Sequence, residues 1–188
     1  MHSKSLSTRK IVLTALLAAL TTVCSRLRIV LPLEIAGTTA FHLGNIMCAL
    51  SGILLDPWLG GLAAGLGSAI FDMLDPLYIS ECWITFLTKG AYGLVSGLVI
   101  RYGKTDWGYG KAILATTAGA VTYAALYFAK SYFYSGRLLH GLTHEAALLN
   151  LVVKIPATTF NAVIAIICAP LLAVSIRAAL KRSHIQLD

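Results

Sequence analysis

Residues 60–76 read GGLAAGLGSAIFDMLDP. The run is apolar and laced with glycine and alanine, yet it closes on two carboxylates, Asp72 and Asp75. An apolar helix can lie in hydrocarbon, whereas a carboxylate there needs a partner or a wet surface. The stretch therefore reads as a membrane helix that arrives at water.

The rest of the chain supports that reading. Of 188 residues, 57% are hydrophobic and only 12% charged, where a soluble domain carries about 25% charge. Mean hydropathy is +0.78. Apolar runs long enough to cross a bilayer recur along the chain. They predict an all-α, six-transmembrane-helix bundle forming one integral membrane domain over residues 1–188. The expected spans are 10–31, 40–55, 58–74, 83–101, 111–134 and 146–178. The first resembles a signal sequence, but no A-x-A site follows it, so it is read as a span. Pro32, Pro57 and Pro76 fall at span ends, and Pro156 and Pro170 are expected to bend the long sixth span.

Basic residues set the orientation. Lys4, Arg9, Lys10, Arg101, Lys104, Lys111, Arg177, Lys181 and Arg182 share one side, nine of the 15 Lys and Arg. Both termini are then cytoplasmic by the positive-inside rule. The basic pI reflects this asymmetry rather than nucleic-acid binding. Asp72 and Asp75 arrive outside, with Glu34, Glu81 and Glu145.

Gly61-x-x-x-Gly65 and Gly60-x-x-x-Ala64-x-x-x-Ser68 are small-residue faces suited to close helix packing. Ala15-x-x-x-Ala19 is a similar face, open to internal packing or to a partner.

Three lysines lie within expected spans, all in the outer half: Lys89, Lys130 and Lys154. Buried ammonium groups cost at least ~2.5 kcal/mol to insert, so they usually face a cavity or a partner; lysines near a span end also snorkel. Each has company at helical spacing. Tyr123, Tyr127, Lys130 and Tyr134 form one stripe; Asn150, Lys154, Thr158 and Asn161 form another. Trp83, Phe86 and Lys89 precede Gly93 and Gly97. His42 and Asn45 open the second span. Together these stripes predict a small outward-facing pocket with donors, aromatic walls and a positive bias, suited to a polar small molecule.

Other chemistries lack their patterns. "GKT" at 103–105 has Leu98 where a Walker A loop needs glycine. His140 and His144 offer two metal ligands at i, i+4 without a third, so no metal site is assigned. Ser68 sits in GLGSA, where Ala69 breaks the intramembrane serine-protease pattern. Cys24, Cys48, Cys82 and Cys168 are scattered, indicating neither disulfides nor zinc.

Ala15-x-x-x-Ala19, FHLGNIMCALSGILLDPWLGGLAAGLGSAIFDMLDP (41–76) and WITFLTKGAYGLVSGLV (83–99) resemble the substrate-binding S component of energy-coupling-factor (ECF) vitamin transporters. The resemblance implies a non-enzymatic, multi-pass subunit in a prokaryotic plasma membrane, without a cofactor. Such a subunit captures a water-soluble vitamin outside and associates with a membrane coupling subunit and two cytoplasmic ATPases. It is then thought to topple in the bilayer to deliver its ligand.

Carried onto this chain, the resemblance puts Ala15 and Ala19 against the coupling subunit. It implies ligand contacts at Lys89, Tyr92, Tyr123, Tyr127, Asn150 and Lys154, with Asp72 to Trp83, Asp75 among them, as rim and lid; the start of the second span separately puts His42 and Asn45 near the outer mouth. The lysines favour an anionic vitamin such as pantothenate; His42, Asn45 and the tyrosines suit a pyridoxine-like or pyrimidine ring. An intramembrane enzyme and a channel-like protein are the alternatives.

Overall fold

The computed structural model describes residues 7–31, 39–103 and 107–183; Lys4, Pro32, Glu34 and Lys104 lie outside them. Helices dominate: α1 (Thr8–Arg26), α2 (Gly44–Leu54), α3 (Pro57–Met73), α4 (Cys82–Arg101), α5 (Tyr109–Ala129) and α6 (His144–Arg182). A 3₁₀ turn (Ile79–Glu81) precedes α4, and α5 runs on as a π-helical segment (Lys130–Leu139). Strands β1 (Arg28–Leu31) and β2 (Thr39–His42) pair antiparallel, Arg28 opposite His42.

Helix boundaries follow local chemistry. Pro57 opens α3 in the first turn, where a missing N–H costs little. Thr143 caps α6 by accepting the Ala146 N–H at 3.3 Å. Glu145 in the first turn of α6 and Lys181 and Arg182 in its last complement the helix dipole. Pro156 and Pro170 sit inside α6, which continues through both. Each leaves one carbonyl, of Val152 and Ile166, without its helical N–H.

Among the described residues, four helical stretches are long and apolar enough to cross a membrane: Thr8–Arg26, Ile79–Arg101, Tyr109–Leu139 and His144–Arg182. Two expected spans differ from the structure. The first helix ends at Arg26, and the apolar residues after it enter β1. The second, expected from residue 40, begins as helix only at Gly44. Its 11 residues reach about 16 Å, half of a ~30 Å hydrocarbon core. Short apolar runs do not distinguish strand from helix by periodicity.

Helix α3 packs against α1, α2 and α4, and glycine makes that possible. A Cβ on Gly60 would lie 2.6 Å from Gly52 Cα and 2.7 Å from Ser51 O; one on Gly93 would lie 2.6 Å from Gly60 O. Backbone meets backbone at these crossings, as the small-residue pattern predicts. On the α1 side, the Thr22 hydroxyl donates to Gly67 O at 2.7 Å.

One core cluster gathers Leu17, Leu50, Ile53, Leu55 and Ile100; a second gathers Cys48, Ala64, Tyr92 and Tyr123 beneath the polar end. Outward faces are apolar, including Leu16, Val23, Leu114, Val121, Val152 and Phe160. Ala15 and Ala19 belong to this exposed surface, while Leu17 and Ala18 between them are buried. Internal packing, one of the two readings open to that alanine pair, is therefore not its use here. At the other end of the bundle from the carboxylates, Lys10 pairs with Asp56 at 2.9 Å. Arg177 lies 4.4 Å over the Trp107 ring and donates to its carbonyl.

Candidate functional site

A cavity of about 100 Å³ opens among the end of α3, the β1–β2 hairpin, α4, the α5–π junction and α6. Its walls carry the cations Arg28, Lys89, Lys130 and Lys154, the carboxylates Asp72 and Glu81, and the rings of Phe71, Tyr78, Tyr123 and Tyr127. Ser25, Ser68, Thr85, Thr88, Ser131 and Thr158 add hydroxyls; Ala40, His42 and Asn161 complete the lining.

The floor is built around Lys89. Its ammonium, 6% exposed, donates to Asn45 Oδ1 and lies 3.9 Å above the centre of the Tyr123 ring. Tyr123 stacks on Tyr92 at 5.8 Å below and on Tyr127 at 5.7 Å beside it. Beside the floor, Ser68 Oγ lies 3.7 Å from Cys48 Sγ. Thus Lys89, Tyr123, Tyr127 and Lys154 line the cavity, whereas Asn45 and Tyr92 act from behind it.

The change of winding at Lys130 rearranges the fifth helix. At α spacing Tyr134 would continue the inward stripe of Tyr123, Tyr127 and Lys130. With π winding, Ser131 and Ser135 are buried instead, and Tyr134 turns to Trp83. Tyr134 packs edge-on to that indole at 5.4 Å and accepts its N–H at 3.4 Å. Trp83 is 53% exposed and lies outside the cavity lining. On the inward side, Lys130 forms an ion pair with Glu81, and Ser135 donates to the same carboxylate. Glu81 so joins the 3₁₀ turn to the π segment. The wider π winding, usually seen as a single-turn bulge, recurs at functional sites.

The rim is a fastened hairpin. Arg28 pairs with Asp75 and stands 5.0 Å from each of the Phe71 and Tyr78 ring centres. Arg26 approaches the same carboxylate at 3.6 Å. Asp75 also accepts the Leu77 N–H at 3.1 Å, and it lies outside the lining. Its partners are Arg26 at the end of α1 and Arg28 of the hairpin, not the lysines of the interior. On the other flank, Asn161 acts as a third rung for β2. Its Oδ1 accepts the His42 N–H at 2.9 Å and its Nδ2 donates to Ala40 O at 2.8 Å. His42 Nδ1 accepts from Gly44 N–H.

Asp75→Asn is expected to leave the bundle folded but to loosen the hairpin, because a carboxylate 4% exposed loses its arginines. Hydrogen exchange of residues 28–31 and 39–42 should accelerate roughly tenfold or more. Unchanged exchange would show that the ion pair does not hold the hairpin.

Asn150, fully buried on α6, lies outside the lining one turn before Lys154, which lies 5.9 Å from the Tyr127 ring. His144, one of the two histidines at metal-like spacing, meets the Tyr132 hydroxyl at 2.6 Å. Asp72 lines the cavity. Of the lining groups, Arg28, Phe71, Tyr78, Glu81 and Ser131 were not singled out as ligand contacts from sequence. Arg28 falls inside the first expected span, 10–31, and was not set apart from it. Ser131 stands four residues after Tyr127, at the spacing of the stripe, but a serine there is a weaker polar mark than the lysine beside it.

The family model described as "ECF-type riboflavin transporter, S component" matches residues 5–178. A relative from Pyrococcus woesei, described as an uncharacterized protein in a gap 3′ region, is 32% identical over 95 residues. The match takes in 50% of this chain and 61% of the relative.

Proposed function

The chain belongs to the family of ECF-type riboflavin transporter S components, and from that premise we propose that it is the capture subunit for a small water-soluble vitamin of the riboflavin type. The family is a transporter component, not an enzyme, and the chain is a multi-pass membrane protein.

The observation that carries the proposal is the cavity: a polar, aromatic-walled chamber at the carboxylate end of an otherwise apolar bundle. Tyr123 and Tyr127 present adjacent rings to a planar ligand. Lys89, Lys154 and the wall hydroxyls offer donors to its heteroatoms. Lys130 is matched by Glu81 and Arg28 by Asp75. That pairing offsets much of the positive charge on which an anionic vitamin such as pantothenate would draw. A neutral, planar vitamin fits the balance better.

The bundle crosses a prokaryotic plasma membrane six times with both termini inside, and the short α2 crosses together with its preceding hairpin. The ligand is taken from outside. Ala15 and Ala19, exposed on α1, dock on the membrane coupling subunit. Two ATPases on other chains supply the energy.

Native mass spectrometry of the detergent-purified protein, followed by a thermal-shift screen of vitamins, tests the reading. Riboflavin should bind one to one and raise the melting temperature by several degrees. At a concentration about 100 times Kd the stabilisation is about 2.7 kcal/mol. A folded protein that no vitamin stabilises would remove the proposal.

A further inference from the structure

Ser131 stands out among the cavity's hydroxyls. It is 1% exposed, it lines the cavity, and its Oγ has no hydrogen-bond partner among the described residues. Hydroxyls on the regular helices nearby bond the carbonyl one turn back: Thr116 to Ala112 O, Thr122 to Ala118 O and Thr158 to Lys154 O, each at 2.9 Å. Ser131 sits where the winding changes from α to π, and that back-bond is not made. Ser135, one turn on, gives its hydroxyl to Glu81. Tyr92 and Ser96 also hold unpartnered buried hydroxyls, but neither lines the cavity.

A buried hydroxyl left unpaired is costly, so a site that keeps one is built for a partner that arrives. The same wall carries Lys130 and Lys154. It is already rich in donors, and its field favours the electron-rich edge of a ligand.

We infer that Ser131 Oγ donates a hydrogen bond to a carbonyl oxygen or ring nitrogen of the captured vitamin, and so helps select a ligand with an acceptor on that edge. The inference rests on the capture reading above. It goes beyond it by naming the contact and its polarity: the acceptor edge faces the π segment, beside the Tyr123 and Tyr127 wall. A vitamin lacking an acceptor at that edge leaves the hydroxyl unpaired and is rejected on that account.

The test compares the full chain with Ser131→Ala, both purified in detergent, with riboflavin as probe. In ligand-free protein the variant should melt at the wild-type temperature or above it, because alanine removes a buried hydroxyl that bonds nothing. With riboflavin its Kd should rise roughly tenfold. A ligand-free melting temperature clearly below wild type would overturn the inference, since it would reveal a partner within the protein. An affinity within about twofold of wild type would overturn it too. Failure of wild type itself to bind riboflavin would count against the capture reading instead, and the ligand-free comparison would still decide whether Ser131 has an internal partner.

Discussion

Lys89→Ala should weaken vitamin binding on the order of 100-fold, about 2.7 kcal/mol, in a protein that remains folded. The ammonium is 6% exposed and pinned between Asn45 Oδ1 and the Tyr123 ring. A charged donor held in one place and almost wholly buried makes stronger hydrogen bonds than it would in water. A ligand that meets it gains that bond without ordering a long side chain on arrival. Alanine removes both the bond and the cation beneath the ring wall.

Stability should respond differently. Deleting the lysine relieves a buried charge, which is expensive in a membrane, but orphans the Asn45 amide at a cost of about 1–3 kcal/mol. The two effects oppose, so the melting temperature should move little while affinity falls steeply. Isothermal titration with a parallel thermal scan checks both halves. A large stability loss with unchanged affinity per folded molecule would make Lys89 a structural residue only.

Gly93→Leu should have the larger effect on the fold. A Cβ alone at this position would stand 2.6 Å from Gly60 O and 3.0 Å from Ala64 Cβ. Its neighbours are backbone and a methyl group on α3, and neither can swing aside as the end of a long side chain would. Helix α3 would have to separate from α4, and α2 with it, because Gly60 already touches Gly52. Overpacking with some freedom to relax costs about 1–3 kcal/mol; here the cost should reach the upper end or beyond. The folded fraction, measured by size-exclusion chromatography of solubilised membranes, should fall severely. Gly110→Leu, with nothing near its Cβ position, should elute as wild type does. Equal yields of the two variants would refute the close-crossing account.

How much of this was legible in sequence depends on which period each residue obeys. The glycine spacing at 60, 61 and 65 points directly to close packing, and each of those glycines meets a neighbouring helix. The lysines at 89 and 154 and the tyrosines at 123 and 127 follow an α-helical stripe, and that stripe lines the cavity. Residues that leave the α period were invisible. The π winding after Ala129 brings Ser135 inward and sends Tyr134 to Trp83, and propensity carries no warning of it. The β1–β2 pairing is similarly silent, because a four-residue apolar strand beside a helix reads as more helix. Arg28 and Asp75 are 47 residues apart, so their pairing depends on a tertiary contact that charge counting does not supply.

The central claim is that the chamber bounded by Lys89, Tyr123 and Tyr127 is where the vitamin binds. Stacking on tyrosine quenches flavin fluorescence, so a titration of riboflavin with purified protein reports on the chamber itself. Wild type should quench saturably at one flavin per chain, and Tyr123→Leu and Lys89→Ala should each shift the titration to much weaker binding, about 100-fold for the lysine. Quenching that keeps wild-type affinity through both substitutions would contradict the account and place the ligand elsewhere in the bundle.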